Sequence, residues 1–374
     1  MPSAFARLSM PIAAILLSFV LLAGCSGLGV QPGGSLPEGE ALVFGRILLD
    51  RDGELSSVST FSNHVEIRNL ETDDVQLVAQ PFEPDGRFYW SLPPGRYQLS
   101  LVLDGKRSFA FTLARAGAAY YFGDLTFTGS KRFRTLGGAN IAGVRCRAVD
   151  ALAEARTALS QRSPALGRLA VDRLALGDMT DPAVRASAYA EALATAPRCC
   201  RRYAEMRFAR LAAAGPTKAA IGADSPVFDF PEGPSRFLAW TLPERPAPYT
   251  LVLRSVVTSG APGAGGYNVF SPAILLLDAN FEPVFRADDL FAPVAATLFP
   301  PRRTGLAGQV RVAGGAAAAR YLVVYTTPAR LRDGWFGAVP GVAAMPAGAL
   351  PTGGYSPVAM APSISGAVEV TPGP

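Results

Sequence analysis

From Ala41 to about Gly129 the chain alternates apolar and polar residues in short runs broken by turn dipeptides, as in "ALVFGRILLDRDGEL", "HVEIRNLETDDVQLVA" and "RSFAFTLARAGAAYYFGDLTF". A period of two bounded by turns predicts strands, here about seven of them in an antiparallel sandwich over residues 40–130. In "DGRFYWSLPPGRYQLSL" the alternation sets Arg87, Tyr89 and Ser91 on one face and Phe88, Trp90 and Leu92 on the other, with Pro93-Pro94-Gly95 turning the chain. The carboxylates Asp50, Asp52 and Glu54 read as a solvated turn, because Gly53 falls too early for a twelve-residue calcium loop and Phe61 stands where its last ligand would be.

The pattern then changes twice. Over residues 145–215 Ala, Leu and Arg recur at helical spacing in "AVDALAEARTALSQ" and "DPAVRASAYAEALATA", predicting three or four helices, one of them capped by Asp181 with Pro182 in its first turn. From Ser225 strands return. Leu238, Trp240 and Leu242 alternate onto one face, as do Tyr321, Val323 and Tyr325, the inward rows that two packed sheets need, and "AILLLDANFEPVF" reads as a buried strand turning at Asp278. Residues 337–368 lack charge and are rich in Gly, Ala and Pro, a cover or tail closed by a last strand at 367–370. The expected fold is therefore mainly β: two β-sandwich-type domains, at 40–130 and 220–374, joined by an α-helical connector.

The N-terminal apolar run, Met10 to Leu22, is too short to cross a bilayer but suits a secretory signal over residues 1–24. Its end, Leu22-Ala23-Gly24-Cys25, resembles the bacterial lipobox, which implies cleavage before Cys25 and acylation of that residue, with 25–39 as a flexible Gly/Pro tether. By the same resemblance, Ser26 in place of an Asp after the cysteine implies sorting to the outer membrane, periplasmic face.

Composition limits the chemistry. With 374 residues, 49% hydrophobic, there is length for two cores, and the formal net charge of +5 is too small to imply nucleic-acid binding. The single histidine, His64, falls in an expected strand far from any Gly-x-Ser-x-Gly elbow, so no Ser-His-Asp arrangement is expected. The Gly-rich "GAPGAGGYN" lacks the Lys-Ser/Thr of a phosphate loop, and Glu282, Asp288 and Asp289 are carboxylates without a pairing signal. No catalytic residue, metal site or cofactor is expected. In an oxidising compartment Cys146 is expected to pair with Cys199 or Cys200. Arg145 to Lys218 holds thirteen basic against seven acidic residues, densest in "RCCRRYAEMRFAR". Arg198, Arg201, Arg202, Arg207 and Arg210 are thus candidates for contact with anionic lipid, peptidoglycan or an envelope protein. Trp335 and Phe336 in "RDGWFG", and Trp90 less so, are the candidate aromatics for stacking on a sugar.

Two resemblances add expectations. The "DGRFYWSLPPGRYQL" stretch looks like the hairpin of carboxypeptidase-regulatory or transthyretin-like domains, which implies a non-catalytic β module. "SPVFDFPEGPSRFLAWTLP", "LVLRSVV", "FSPAILLLDANFEPVFR" and "ARYLVVYTTPARL", in that order, resemble the maltose operon periplasmic protein (MalM) family over about 199–370. That resemblance implies an accessory role in maltodextrin handling through glycan binding. The other expectation is a structural or interaction lipoprotein of the envelope.

Overall fold

The structure, a computed structural model, describes residues 28–57, 65–77, 82–103, 105–134, 138–259, 266–294, 305–313, 318–332, 339–341 and 356–373. Its N-terminal half carries β1 (Ala41–Arg51), β2 (Glu54–Ser57), β3 (Val65–Asn69), β4 (Val75–Leu77), β5 (Arg87–Leu92), β6 (Gly95–Leu103), β7 (Gly105–Leu113), β8 (Ala119–Arg134) and β9 (Gly138–Val149). β1, β2, β5, β8 and β9 build one sheet and β3, β4, β6 and β7 the other. The alternation read from the sequence decides what lies between them. Phe88, Trp90 and Leu92 meet Leu99, Phe109 and Phe111 across the sandwich, and Trp90 stacks on Phe88 with ring centroids 3.9 Å apart.

Two details differ from a plain antiparallel sandwich. β1 and β8 pair in parallel, and the register shifts beside Gly45. There Gly123 has φ of +100°, and a Cβ on Gly45 would stand 2.6 Å from the Gly123 carbonyl oxygen, so both positions demand glycine. β5 and β6 also lie in different sheets, so Pro93-Pro94-Gly95 carries the chain from one layer to the other instead of closing a hairpin. The Tyr97 hydroxyl donates to the Pro93 carbonyl at 2.8 Å and fixes that crossing.

The stretch expected to be a flexible tether is docked from Leu28 onward. Val30 donates its N–H to the Tyr89 carbonyl, Ser91 donates to the Leu28 carbonyl, and Val30 is buried against Leu42 and Tyr89. An unpaired edge of β5 offers backbone partners, and three apolar side chains, Leu28, Val30 and Leu36, find apolar neighbours.

The connector is likewise divided among its neighbours. Residues 138–149 extend the first sheet as β9, while β10 (Val171–Arg173) and β11 (Gly177–Asp178) add to β8 and β7. Helix α1 (Leu152–Arg162) and the short α2 (Pro164–Gly167) cover the outer face of the first sheet with Ala155, Leu159 and Leu166. Helix α3 (Pro182–Ala194) starts as its sequence predicts, with the Asp181 carboxylate accepting from the Ala183 N–H at 2.8 Å and Pro182 in the first turn. The arginine-dense part, expected to be helical, runs instead as turns and one 3-10 turn at Tyr203–Glu205.

The second half contains β12 (Ala209–Arg210), β13 (Thr217–Ile221), β14 (Val227–Phe230), β15 (Gly233–Arg236), β16 (Leu238–Thr241), β17 (Tyr249–Val256), β18 (Thr258–Ser259), β19 (Gly266–Phe270), β20 (Ala273–Leu277), β21 (Pro283–Ala287), β22 (Ala292–Val294), β23 (Gly305–Val312) and β24 (Tyr321–Tyr325). Helix α4 (Pro328–Arg332) and β25 (Val339–Gly341), β26 (Ser356–Ser363) and β27 (Gly366–Pro372) complete it. The sheet β12-β16-β24-β20-β21 packs face to face on β13-β27-β17-β23-β22. Trp240 and Leu242, with Leu238, point into that shared core, as expected from their spacing. β20 is buried along its whole length, which accounts for its unbroken apolar run. Tyr321, Val323 and Tyr325 face the other way, under a third layer made by the β14–β15 hairpin and residues 200–208.

The halves meet around α3. Tyr189 and Leu193 pack between Leu70 of the first half and Val227, Leu331 and Ile364 of the second. Arg68 pairs with Asp73, whose carboxylate also accepts from the Ser365 hydroxyl, and Arg236 donates to the Glu71 carbonyl. Arg185 donates to the carbonyls of Leu331 and Met179, each at 3.0 Å.

Candidate binding face

The side chains singled out from the sequence do not converge. Trp90 is wholly buried in the N-terminal core, so it is no sugar platform: its place on the inward face of β5 gives it to packing. Trp240 is also a core residue. Trp335, Phe336 and His64 lie outside the described residues, as do Cys25 and most of the Gly-rich 260–268 stretch. The Asp50–Glu54 carboxylates form a turn closed by the Gly53 N–H donating to Asp50 at 2.8 Å. Among the described residues no group of His, Cys, Asp and Glu is placed to hold a metal ion.

The cysteines pair differently from expectation. Cys199 is joined to Cys200, and Cys146 is free and exposed. Topology separates them, because Cys146 sits on β9 of the first sandwich while Cys199 donates its N–H to Val227 of the second domain. Cys146→Ser should therefore leave the unfolded, unreduced mature chain without the one thiol that Cys146 supplies. A remaining thiol reactive to a maleimide, with Cys25 blocked or absent, would contradict the pairing.

The five arginines are not one patch. Arg198 is held by Asp229 and by the carbonyls of Leu193 and Ala196, and Arg202 pairs with Glu205. Arg201, Arg207 and Arg210 are exposed and form no ion pair among the described residues.

What the fold does assemble is an aromatic face on the outside of the β12–β21 sheet. Strand register places Arg210 opposite Thr241 and Thr241 opposite Tyr321, so these three project from one face in a row about 10 Å long. Arg210 and Thr241 are exposed, Tyr321 half-buried. Two further rings close on Tyr321. Phe281 stacks on it with centroids 4.6 Å apart and planes 14° apart, and Phe208, two residues before Arg210 on the same side, stands 4.5 Å away. Phe281 is presented by the Asp278 turn, where the carboxylate accepts from the N–H groups of Asn280 and Glu282 at 2.8 and 2.9 Å. Its φ of +64° lies in the left-handed region, costly for a bulky residue and retained where the surroundings enforce it.

About four residues further along β24, some 13 Å away on the same face, lies a polar counterpart. Arg286 donates to Glu232 at 2.6 Å and to the Tyr203 hydroxyl at 3.3 Å, while the Tyr325 hydroxyl donates to Glu232 at 3.4 Å. Burial first, then the Glu232 charge, pushes the Tyr325 hydroxyl well above the usual phenol range, so it stays a neutral donor. Half-buried rings beside a fixed donor–acceptor set can stack on the apolar face of a small polar ligand and orient its hydroxyls.

Most of these residues fall in a stretch that is similar to known sequences. Residues 232–334 match the model of the maltose operon periplasmic protein precursor (MalM) family. No curated protein matches the chain. The MalM match includes Glu232, Phe281, Arg286, Tyr321 and Tyr325 and stops short of Tyr203, Phe208 and Arg210, which the fold brings to the same face. The row Tyr321, Val323 and Tyr325, expected to point inward between two sheets, faces outward instead because Leu322 and Val324 fill the shared core, and neither Phe281 nor Phe208 was expected beside it. The available signal was an aromatic directly after the polar Asp-Ala-Asn turn, a place where burial needs a special arrangement.

Proposed function

We propose that this chain is a non-catalytic protein of the periplasm, attached through an acylated Cys25 to the outer membrane, that serves the maltose system by binding glycan on its C-terminal domain. The MalM match supports the compartment and the system. The observation that carries the binding is the stacked Phe281–Tyr321 pair with Phe208, half-buried beside the exposed Thr241 and Arg210. The rings supply an apolar plane for a pyranose, and the flanking hydroxyl and guanidinium supply hydrogen bonds.

The test is a calorimetric titration of the soluble chain from Ser26 to Pro374 with linear maltodextrins. Saturable heat is expected, and Tyr321→Ala should weaken binding by about tenfold, equivalent to about 1.4 kcal/mol, without lowering thermal stability to the point of unfolding. Absence of heat up to millimolar sugar would remove the proposal.

A second reading rests on Arg201, Arg207 and Arg210, the cations of the 198–210 segment that have no acidic partner among the described residues. They suit an anionic envelope partner. Binding to isolated peptidoglycan or anionic vesicles that disappears when all three are changed to Glu, with no response to maltodextrin, would favour it.

A further inference from the structure

The N-terminal sandwich has two unlike ends. At one, β1 begins beside the end of β5 and the start of β8, since Ala41 pairs with Leu92 and Leu42 with Ala119. Gly95 opposite Leu113 puts the Pro93-Pro94 crossing there, and Val171 opposite Ala119 brings the segment that follows α2 to the same place. This end carries an open depression of about 500 Å³, lined by Leu36, Pro37, Ala116, Gly117, Leu166 and Leu169, with Glu38 as its one charged residue. Exposed Pro93 and Pro94 lie beyond it, Arg168 stands exposed close by in sequence to its walls, and Arg115 is paired with Asp172 at 2.9 Å. The opposite end holds Asp50, Asp52, Glu54 and Asp85, all exposed or half-exposed carboxylates, together with the β6–β7 turn that is followed by Lys106 and Arg107.

The chain enters at the apolar end. Residues 28–30 run antiparallel to β5, with Gly29 opposite Trp90 and the Leu28 carbonyl accepting from Ser91. Going upstream from Leu28 is therefore going toward Leu92 and Pro93. Three residue steps, through Gly27 and Ser26, lead from Leu28 back to Cys25, a reach of at most about 10 Å. There is no slack for the domain to hang away from an anchor at Cys25.

We propose that the apolar end of the N-terminal sandwich is a membrane-contact surface, seated on the headgroup region of the bilayer that receives the Cys25 acyl chains. This rests on the acylated Cys25 of the proposed function and goes beyond it by fixing the orientation of the domain. The depression takes acyl or glycerol carbon, Arg168 meets lipid phosphate, and the turns that hold Asp50, Asp52, Glu54 and Asp85 point away from the bilayer. A small apolar surface next to a covalent anchor suffices, because the anchor already holds it at the interface.

The experiment uses the full acylated protein, with Cys146→Ser, reconstituted into vesicles of phosphatidylethanolamine and phosphatidylglycerol. Nitroxide labels are attached singly through Ala116→Cys, Ala165→Cys and Asp52→Cys, all at exposed positions. On reconstitution the labels at 116 and 165 should lose accessibility to a water-soluble nickel chelate and gain it to oxygen, while the label at 52 keeps its solution values. Labels at 116 and 165 that stay as open to nickel as the label at 52, on protein that sediments with the vesicles, would overturn the orientation and leave the anchor standing. Protein that stays in the supernatant, with no acyl mass on Cys25, would instead overturn the anchor and the orientation with it.

Discussion

Trp90→Ala is expected to lower the free energy of unfolding by about 3–5 kcal/mol and to leave glycan binding by the folded fraction unchanged. The indole is fully buried, stacked on Phe88 and met edge-on by Phe82 at 5.8 Å, so its loss opens a cavity that neither sheet can close without breaking the register of β1 against β5. Its ring N–H has no hydrogen-bond partner among the described residues. Trp90→Phe should accordingly recover much of the loss, because the smaller ring gives up volume but strands no polar group. Urea unfolding followed by far-ultraviolet circular dichroism reads both effects. A Trp90→Ala chain as stable as the parent but deficient in sugar binding would return Trp90 to the list of ligand contacts.

Asp73→Ala is expected to cost about 3 kcal/mol, the low end of what removing one partner of a buried ion pair takes, and to loosen the two halves from each other. Arg68 is mostly buried beneath α3 and the C-terminal domain, with Glu66 farther off at 3.7 Å. Without the Asp73 carboxylate the guanidinium keeps a poor partner, and the Ser365 hydroxyl loses its acceptor. Replacing Glu66, Arg68 and Asp73 together with uncharged residues of similar size should cost less than Asp73→Ala alone, since the charged cluster is then removed as a whole. Limited proteolysis gives a second readout: the single variant should be cut around α3 faster than the parent. Equal stability of Asp73→Ala and parent would show that solvent already screens the pair.

The layers of each half were legible in the sequence because burial on one side imposes a period of two. Phe88, Trp90 and Leu92, and later Leu238, Trp240 and Leu242, lie where that period puts them. The same signal cannot say which strands are neighbours. It therefore gave no hint that β1 and β8 run parallel or that Pro93-Pro94-Gly95 crosses between sheets. Between 145 and 215 Ala and Arg tolerate helix, turn and edge strand alike, so local spacing overstated the helix and the sheets claimed β9, β10, β11 and β12. The candidate face was half legible. Tyr321 stood in a readable row, but its neighbours Phe208 and Phe281 come from an irregular segment and a turn, and only the third dimension brings them within 6 Å of one another. The cysteines failed for a related reason: redox logic expects a bond without choosing the pair, and Cys146 belongs to the other domain.

The most direct test of the account is nuclear magnetic resonance of the soluble chain with isotope-labelled Tyr and Phe rings, titrated with a linear maltodextrin. Saturable shifts are expected for the Tyr321, Phe281 and Phe208 ring signals, with a smaller response at Tyr203 and none at the Phe88 ring under Trp90. Ring signals that stay fixed up to millimolar sugar, or shifts confined to rings outside this face, would contradict it.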